Sequence, residues 1–354
     1  MISTEFWKGK RVFLTGHTGF KGAWMMSWLE QLGAHVTGYS LEAETPSLYQ
    51  LLATSFKGDS IIGDIRDTKK LTDALTAAKP DIVIHMAAQA FVGESYDEPL
   101  RTFDVNVIGT ASVFDATLHA LANGAPIRAV VNITTDKCYE NKQWVFDYRE
   151  NDRLGGKDPY SASKACAELL TTSYRNSFFT NTQAGLASVR AGNVIGGGDF
   201  ADSRLIPQLL HAYDQKRELT LRNPSAIRPW QHVLDPLHGY LMLAQKLYQH
   251  PDQFAEGFNF GPERVDCVPV NELVDKLSHA LGQPVPTRSV AASYHEEQLL
   301  TLNCTKAKTV LGWQPVWGIN QTVAKIAEWH QNTTLSTSDI VHKQIHSFMQ
   351  DASR

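Results

Sequence analysis

The sequence predicts an α/β fold, a doubly wound parallel sheet followed by a smaller C-terminal domain. Three observations point there. Short apolar runs alternate with helix-length segments through the first half of the chain. A glycine triplet stands at the first strand-to-helix junction. From Asn193 the alternation breaks into short elements rich in Pro, Arg and Trp.

Each element has a local reason. Residues 11–15 (RVFLT) form an apolar run that ends in a glycine turn, and so read as a buried strand. A helical stretch over 20–32 stops at Gly33, a C-terminal cap. Residues 35–39 give a second strand and Ile61-Ile62 a third, after which Asp67 or Thr68 caps a helix that runs to Ala78. Residues 81–85 (DIVIH), behind Pro80, are a fourth strand; 100–122 have helical spacing; 129–134 (AVVNIT) are a fifth strand. The charged segment 140–157, rich in Gly and Asn, leaves the sheet before the next helix, which has Asp158 as N-cap and Pro159 at its first position. Residues 184–190 resume the strand pattern. Strands separated by helices of this length imply parallel βαβ units. Residues 1–192 are therefore expected to form one domain and 193–354 mainly a second, with segments able to return to the sheet.

Composition narrows the function classes. The 354 residues are 43% hydrophobic and 20% charged, and 33 Lys plus Arg against 37 Asp plus Glu give a formal net charge of -4. No basic excess predicts nucleic-acid binding, so an anionic ligand must be met by local arginines. The four cysteines, Cys138, Cys166, Cys267 and Cys304, form no CxxC pair and no zinc-like spacing, and the 13 histidines no HxxH or HExxH, so no metal is expected. Scattered thiols, an N-terminus without a signal-peptide core and no long uninterrupted apolar run predict a cytoplasmic protein with no membrane partner.

Gly16-His17-Thr18-Gly19-Phe20-Lys21-Gly22 has GxxGxxG spacing directly after a strand and opening a helix. Glycines there permit a tight turn and let the backbone approach a pyrophosphate resting on the helix N-terminus, the arrangement of a Rossmann dinucleotide site. At the end of the second strand, where an acidic residue would hold the adenosine ribose, the chain reads Tyr39-Ser40-Leu41-Glu42. Glu42 lies slightly too far along, and no Arg is placed to hold a 2′-phosphate, which favours NAD over NADP. Asp64-Ile65, after the third strand, either flanks the adenine or serves a turn.

Tyr160-Ser-Ala-Ser-Lys164 is YxxxK at the start of a helix, a spacing that puts both side chains on one face. An ammonium beside a phenol stabilises phenolate and brings it toward use as a base. Thr134-Thr135-Asp136-Lys137 closes the fifth strand, at the carboxyl edge where such sheets bind ligands. Thr135 can bond a reacting hydroxyl beside Tyr160. Asp136 and Lys137 add an acid and a base, more than alcohol oxidation requires, and suit a reaction that also removes water.

Together these motifs, with His85-Met-Ala-Ala-Gln89, Arg190-Ala-Gly-Asn193-Val-Ile-Gly196 and Arg228-Pro-Trp-Gln-His-Val-Leu-Asp235, resemble extended short-chain dehydrogenase/reductases that modify sugar nucleotides. Thr135 and Asp136 match the 4,6-dehydratase pattern, and Lys137 stands where Glu is usual. Lys there, together with the Gly16–Gly22 turn and the Arg228–Asp235 motif, resembles the members acting on CDP-glucose. The resemblance implies that NAD lies along the glycine turn and Asp64, Ile65, Ala87, Ala88 and Gln89, with Tyr160 and Lys164 at its reactive end. It implies that Tyr160, Thr135, Asp136, Lys137 and Lys164 are catalytic. It implies that Gln89 and Ser95 line the sugar end, while Asn193, Arg204, Arg222 and Arg228 meet the diphosphate, a task that suits the arginine fork. It further implies a homodimer or a dimer of dimers built on the Tyr160 helix; Leu169, Leu170 and Tyr174 either serve that contact or face the sheet. A 4-epimerase on the same scaffold would have no use for Asp136 and Lys137, and a non-catalytic NAD-binding regulator none for Tyr160.

Overall fold

Seven strands, β1 (Arg11–Thr15), β2 (His35–Ser40), β3 (Asp59–Ile62), β4 (Ile82–His85), β5 (Ala129–Ile133), β6 (Gly185–Ala191) and β7 (Gly257–Phe260), form one sheet in the order β7-β6-β5-β4-β1-β2-β3. Every pairing in it is parallel. The computed structural model describes residues 2–290 and 297–354. The chain winds from β1 outward to β3, then crosses to β4 and winds the other way, so the strand order reverses between β1 and β4. That reversal opens a crevice at the carboxyl ends of the strands.

The burial pattern explains why these residues make a two-sided sheet. Along β1, Val12 and Leu14 point into one apolar cluster and Phe13 into another, the two-residue period of a strand covered on both faces. Strands β5 and β6 are buried along their whole length. On one face lie α1 (Phe20–Gln31), which buries Trp24 and Trp28, and a helix, Leu234–Gln249, that contributes Leu237, Tyr240 and Leu241. On the other lie α2 (Thr68–Ala78), α3 (Pro99–Ala122) and α4 (Pro159–Ser177). Asp67 caps α2 by accepting from the Lys70 amide at 3.1 Å, and Asp158 caps α4 by accepting from the Ser161 amide at 2.9 Å. Within α3, Asp104–Gly109 is a π-helical turn. Among described helices only α3 is long and apolar enough to cross a membrane, and half of it is buried inside the fold.

Beyond Asn193 the chain divides its attention. Leu234–Gln249 and β7 join the sheet, and Thr337–Ala352 packs on α1, with the Phe348 and Trp28 rings 5.6 Å apart. The helices Leu205–Asp214, Val270–Leu281 and Ile319–His330 instead enclose a separate cluster that includes Leu209, Leu221, Trp230, Leu277 and Ile326. That cluster stands beside the carboxyl edge of the sheet and forms the far wall of the crevice.

Candidate active site

The segments that follow β1, β4, β5 and β6 border a cleft of about 950 Å³, whose opposite side is supplied by residues of 193–230. At its β1 end the backbone itself is the binding surface. Gly16 has φ +76, and a Cβ there would stand 2.7 Å from the Ala87 nitrogen; a Cβ on Gly22 would stand 2.0 Å from the Gly16 oxygen. The turn thus closes only without side chains. Gly19 caps α1 without a side-chain bond, and no acidic residue occupies the first helical turn, so the positive end of the helix is left for an anion. These features fit a dinucleotide pyrophosphate.

The other residues expected at the cofactor divide between the cleft lining and the interior. Thr18, Phe20, Lys21, Asp64, Ile65, Ala87, Ala88 and Gln89 all line the cleft. Burial lowers the Lys21 amine to about 7, with Lys164 and Arg204 adding to the effect. The Asp64 carboxylate is gripped by Arg66, which holds it below its ordinary range, and Arg66 also reaches Asp104 at 2.9 Å. Arg66 lines the cleft beside Asp64, with its guanidinium edges bonded to Asp64 through Nε and Nη2 and to Asp104 through Nη1; its part was not foreseen, because the Asp104 contact spans 38 residues. His17 departs from expectation. Its imidazole is fully buried, bonded to the Ser60 hydroxyl at 2.7 Å and packed edge-on against Tyr49, away from the cleft. Burial pushes it down to about 4, so the ring is neutral near pH 7, and its side chain faces Ser60 and Tyr49.

The β5 end gathers the reactive groups. Asp136–Cys138 is a 3₁₀ turn with Thr135 at its N-cap. The Thr135 hydroxyl donates to Asp136 Oδ1 at 3.0 Å, and both line the cleft with Lys137 and Tyr160. Asp136 is 2% exposed; its Oδ2 has no hydrogen-bond partner among the described residues. Burial raises its pKa, against the pull of Lys137, Thr135 and Arg228. Such a carboxyl keeps a proton beyond the ordinary carboxylate range, which suits an acid. Burial pushes the Tyr160 phenol up to about 12, while the Thr135 hydroxyl and Arg204 pull it down. The expected lowering by Lys164 is not among these effects. Lys164, one helical turn along α4 from Tyr160, is 5% exposed and outside the cleft lining, with its amine lowered by burial to about 8.

The residues expected around the sugar and diphosphate divide between the cleft lining and the interior. Gln89 lines the cleft, but its side chain is closed on Phe91, donating to the Phe91 carbonyl and accepting from its amide, both at 2.9 Å. Its amide donates to Asn106, in the π turn of α3, and Asn106 donates to Ser163 on α4 at 2.9 Å. The π turn thereby ties the β4 loop to the Tyr160 helix. Ser95 does not reach the cleft: it is fully buried and donates to the Val92 carbonyl at 2.7 Å. Asn193, Arg204, Arg222 and Arg228 all line the cleft. Arg204 is paired with Asp199 at 3.0 Å and lies over the Phe91 ring. No group of three or more His, Cys, Asp or Glu side chains among the described residues is placed to hold a metal. Tyr240, fully buried and close enough to Asp136 and Tyr160 to feel their charge, had no signal in the sequence.

The family model for GDP-mannose 4,6 dehydratase matches residues 13–326. A CDP-glucose 4,6-dehydratase of Salmonella typhimurium is 49% identical over 338 residues, covering 94% of this chain and 93% of that protein. A UDP-glucose 4-epimerase of Rhizobium leguminosarum bv. trifolii is 27% identical over 287 residues, covering 76% and 83%. Among solved structures, a UDP-glucose 4-epimerase from Stenotrophomonas maltophila with bound NAD and formylated UDP-arabinopyranose superimposes with a TM-score of 0.78 at 21% identity, covering 91% of this chain and 98% of that one. A dTDP-glucose 4,6-dehydratase from Bacillus anthracis in complex with NAD gives 0.76 at 19%, covering 92% and 97%. These structures share the fold.

Proposed function

The chain belongs to the GDP-mannose 4,6 dehydratase family, and on that premise we propose that it converts CDP-glucose to CDP-4-keto-6-deoxyglucose and water, with NAD as its hydride carrier. The observation that carries the reading is the convergence of Thr135, Asp136, Lys137 and Tyr160 on one cleft with the glycine turn. The 49% identity to a CDP-glucose enzyme supports the choice of nucleotide.

The glycine turn Gly16–Gly22 would hold NAD, which would supply the hydride acceptor for C4 and the hydride donor for C6. Tyr160 takes the proton from O4, and Thr135 orients that oxygen. Lys137 removes the C5 proton made acidic by the new C4 ketone, and later returns a proton to C5. Asp136 protonates O6 as it leaves as water. The Thr135 hydroxyl, which donates to Asp136 and acts on Tyr160, links the group that gains a proton to the group that loses one. The proton ledger therefore closes inside the site. Lys164, one helical turn along α4 from Tyr160 and just beneath the cleft lining, would reach the cofactor ribose from there. Asn193, Arg204, Arg222 and Arg228 hold the diphosphate, where bidentate guanidinium contacts suit phosphate oxygens. Arg66, bound on both sides by Asp64 and Asp104, does not offer a free fork to a 2′-phosphate, in keeping with NAD.

The test is a substrate panel. Purified protein supplied with NAD is given CDP-glucose, UDP-glucose, dTDP-glucose and GDP-mannose, and 4-keto products are followed by NMR. Turnover of CDP-glucose well above the other three is expected; a preference for another nucleotide overturns the choice of substrate. The enzyme works as a homodimer or a dimer of dimers in this reading. Leu100 and Leu169, 85% and 60% exposed on the adjoining helices α3 and α4, supply the apolar contact, whereas Leu170 and Tyr174 pack toward Phe114 and the sheet. Four free thiols suit the cytoplasm.

A further inference from the structure

Tyr160, Lys164 and Glu168 follow one another at four-residue intervals on α4, yet the reaction as derived uses only the first two. Glu168 is 1% exposed, an unusual place for a carboxylate. Its Oε1 accepts from the Thr134 hydroxyl; its Oε2 accepts from the Ser188 hydroxyl at 2.8 Å and from Arg190 Nη2 at 2.7 Å. Arg190, itself 5% exposed, donates through Nη1 to the Tyr139 hydroxyl at 2.8 Å and to the Glu150 carbonyl at 2.9 Å. The Tyr139 hydroxyl donates in turn to Asn259 on β7 at 2.7 Å. Thr134 immediately precedes, and Tyr139 closely follows, the Thr135–Asp136–Lys137 turn. One buried pair therefore grips both ends of the catalytic turn and stands one helical turn from Lys164.

We propose that Glu168, an anion fixed by Arg190, is a positioning residue that keeps Lys164, one helical turn away, in its ammonium form while it holds the reactive-end turn in place. The need for such a group is electrostatic. Burial is what lowers Lys164; the titratable groups near it, Lys21 at the start of α1 and His85 at the end of β4, are themselves lowered by burial to about 7 and about 3, so His85 is neutral at working pH and no cation there accounts for the lowering. The groups that favour its charge are Glu168 on its own helix and Cys138 from the turn after β5. Cys138 is held by burial well above the ordinary thiol range and so carries no charge near neutrality. Glu168 is thus the anion that acts. Its own charge is secure: burial disfavours it, but Arg190 and the Thr134 and Ser188 hydroxyls outweigh burial and hold its pKa below the usual value. Burial lowers the amine to about 8, and Glu168 is the charge that opposes that lowering.

The inference rests on the reading that Lys164 holds the cofactor ribose, so the test is NAD affinity against pH, measured by calorimetry on the purified full chain. In the wild type, affinity falls as pH rises through the Lys164 pKa. In Glu168→Gln the opposite charge is gone, the amine deprotonates sooner, and the midpoint of that fall moves down by on the order of one pH unit. Glu168→Asp keeps a retracted anion and gives a smaller downward shift with recovery of affinity at neutral pH; it also answers the question where the Gln variant does not fold. Ser188→Ala removes a neutral donor and leaves the midpoint in place. An unmoved midpoint in both Glu168 variants, or an equal shift in Ser188→Ala, overturns the proposal while the NAD-dependent function stands. A wild type without NAD binding at any pH overturns both.

Discussion

Asp136 and Lys137 are neighbours with opposite assignments, one to give a proton and one to take it, and their surroundings decide whether both can be met at one pH. Burial raises Asp136, so its acid form persists above the ordinary carboxylate range and is lost as pH climbs through that raised value. A rate limited by this step falls on the alkaline side, and Asp136→Asn, which cannot donate a carboxyl proton, removes that limb together with turnover. The expected loss in kcat is about a hundred- to ten-thousand-fold, with NAD affinity unchanged. Lys137→Met should likewise abolish the 4-keto-6-deoxy product; full turnover in that variant removes lysine from the role of base. The identities of these residues were legible because each sits in a short motif at a strand end. The positions of His17 and Ser95 were not, because the groups that hold them, Ser60 and the Val92 carbonyl, are fixed by packing and not by spacing. The phenol was expected to be tuned by its YxxxK lysine. The structure assigns the lowering effects to Thr135 and Arg204, which reach Tyr160 from other elements.

At the scale of elements, the glycine turn and the π turn do the work of alignment. A methyl at Gly22 meets the Gly16 carbonyl at 2.0 Å, a backbone atom with nowhere to move. Gly22→Ala should therefore cost about 1–3 kcal/mol in stability and weaken NAD binding at least tenfold, read from thermal melting and calorimetry. An alanine variant with unchanged affinity would show that the turn does not shape the cofactor site. Strand and helix positions were largely readable from apolar period and caps: Asp67, Pro159 and Gly33 punctuate the chain where expected. The π turn at Asp104–Gly109 was not, since its sequence continues a helical pattern and its cause is tertiary: Asn106 must face both Gln89 and Ser163. The short helices Leu48–Leu52 and Val92–Asp97 carry too few residues for a periodic signal.

For the whole molecule, the sheet order explains why residues from four separated segments meet: the reversal between β1 and β4 puts their following loops around one crevice. The sequence carried the parallel sheet and its first six strands in order, but β7 lies after a long stretch of irregular elements, and only its pairing with β6 brings it in. Exposed Leu169 gives a prediction at this scale. Leu169→Glu should shift the protein toward monomer in light scattering, and an unchanged mass would move the subunit contact elsewhere. The central claim, that hydride leaves C4 and returns within the same site to C6, is tested most directly with CDP-glucose carrying deuterium at C4. Product NMR should show the label in the C6 methyl group, beside a C4 ketone. Deuterium retained at an inverted C4, or lost to solvent with no methyl label, would contradict the account.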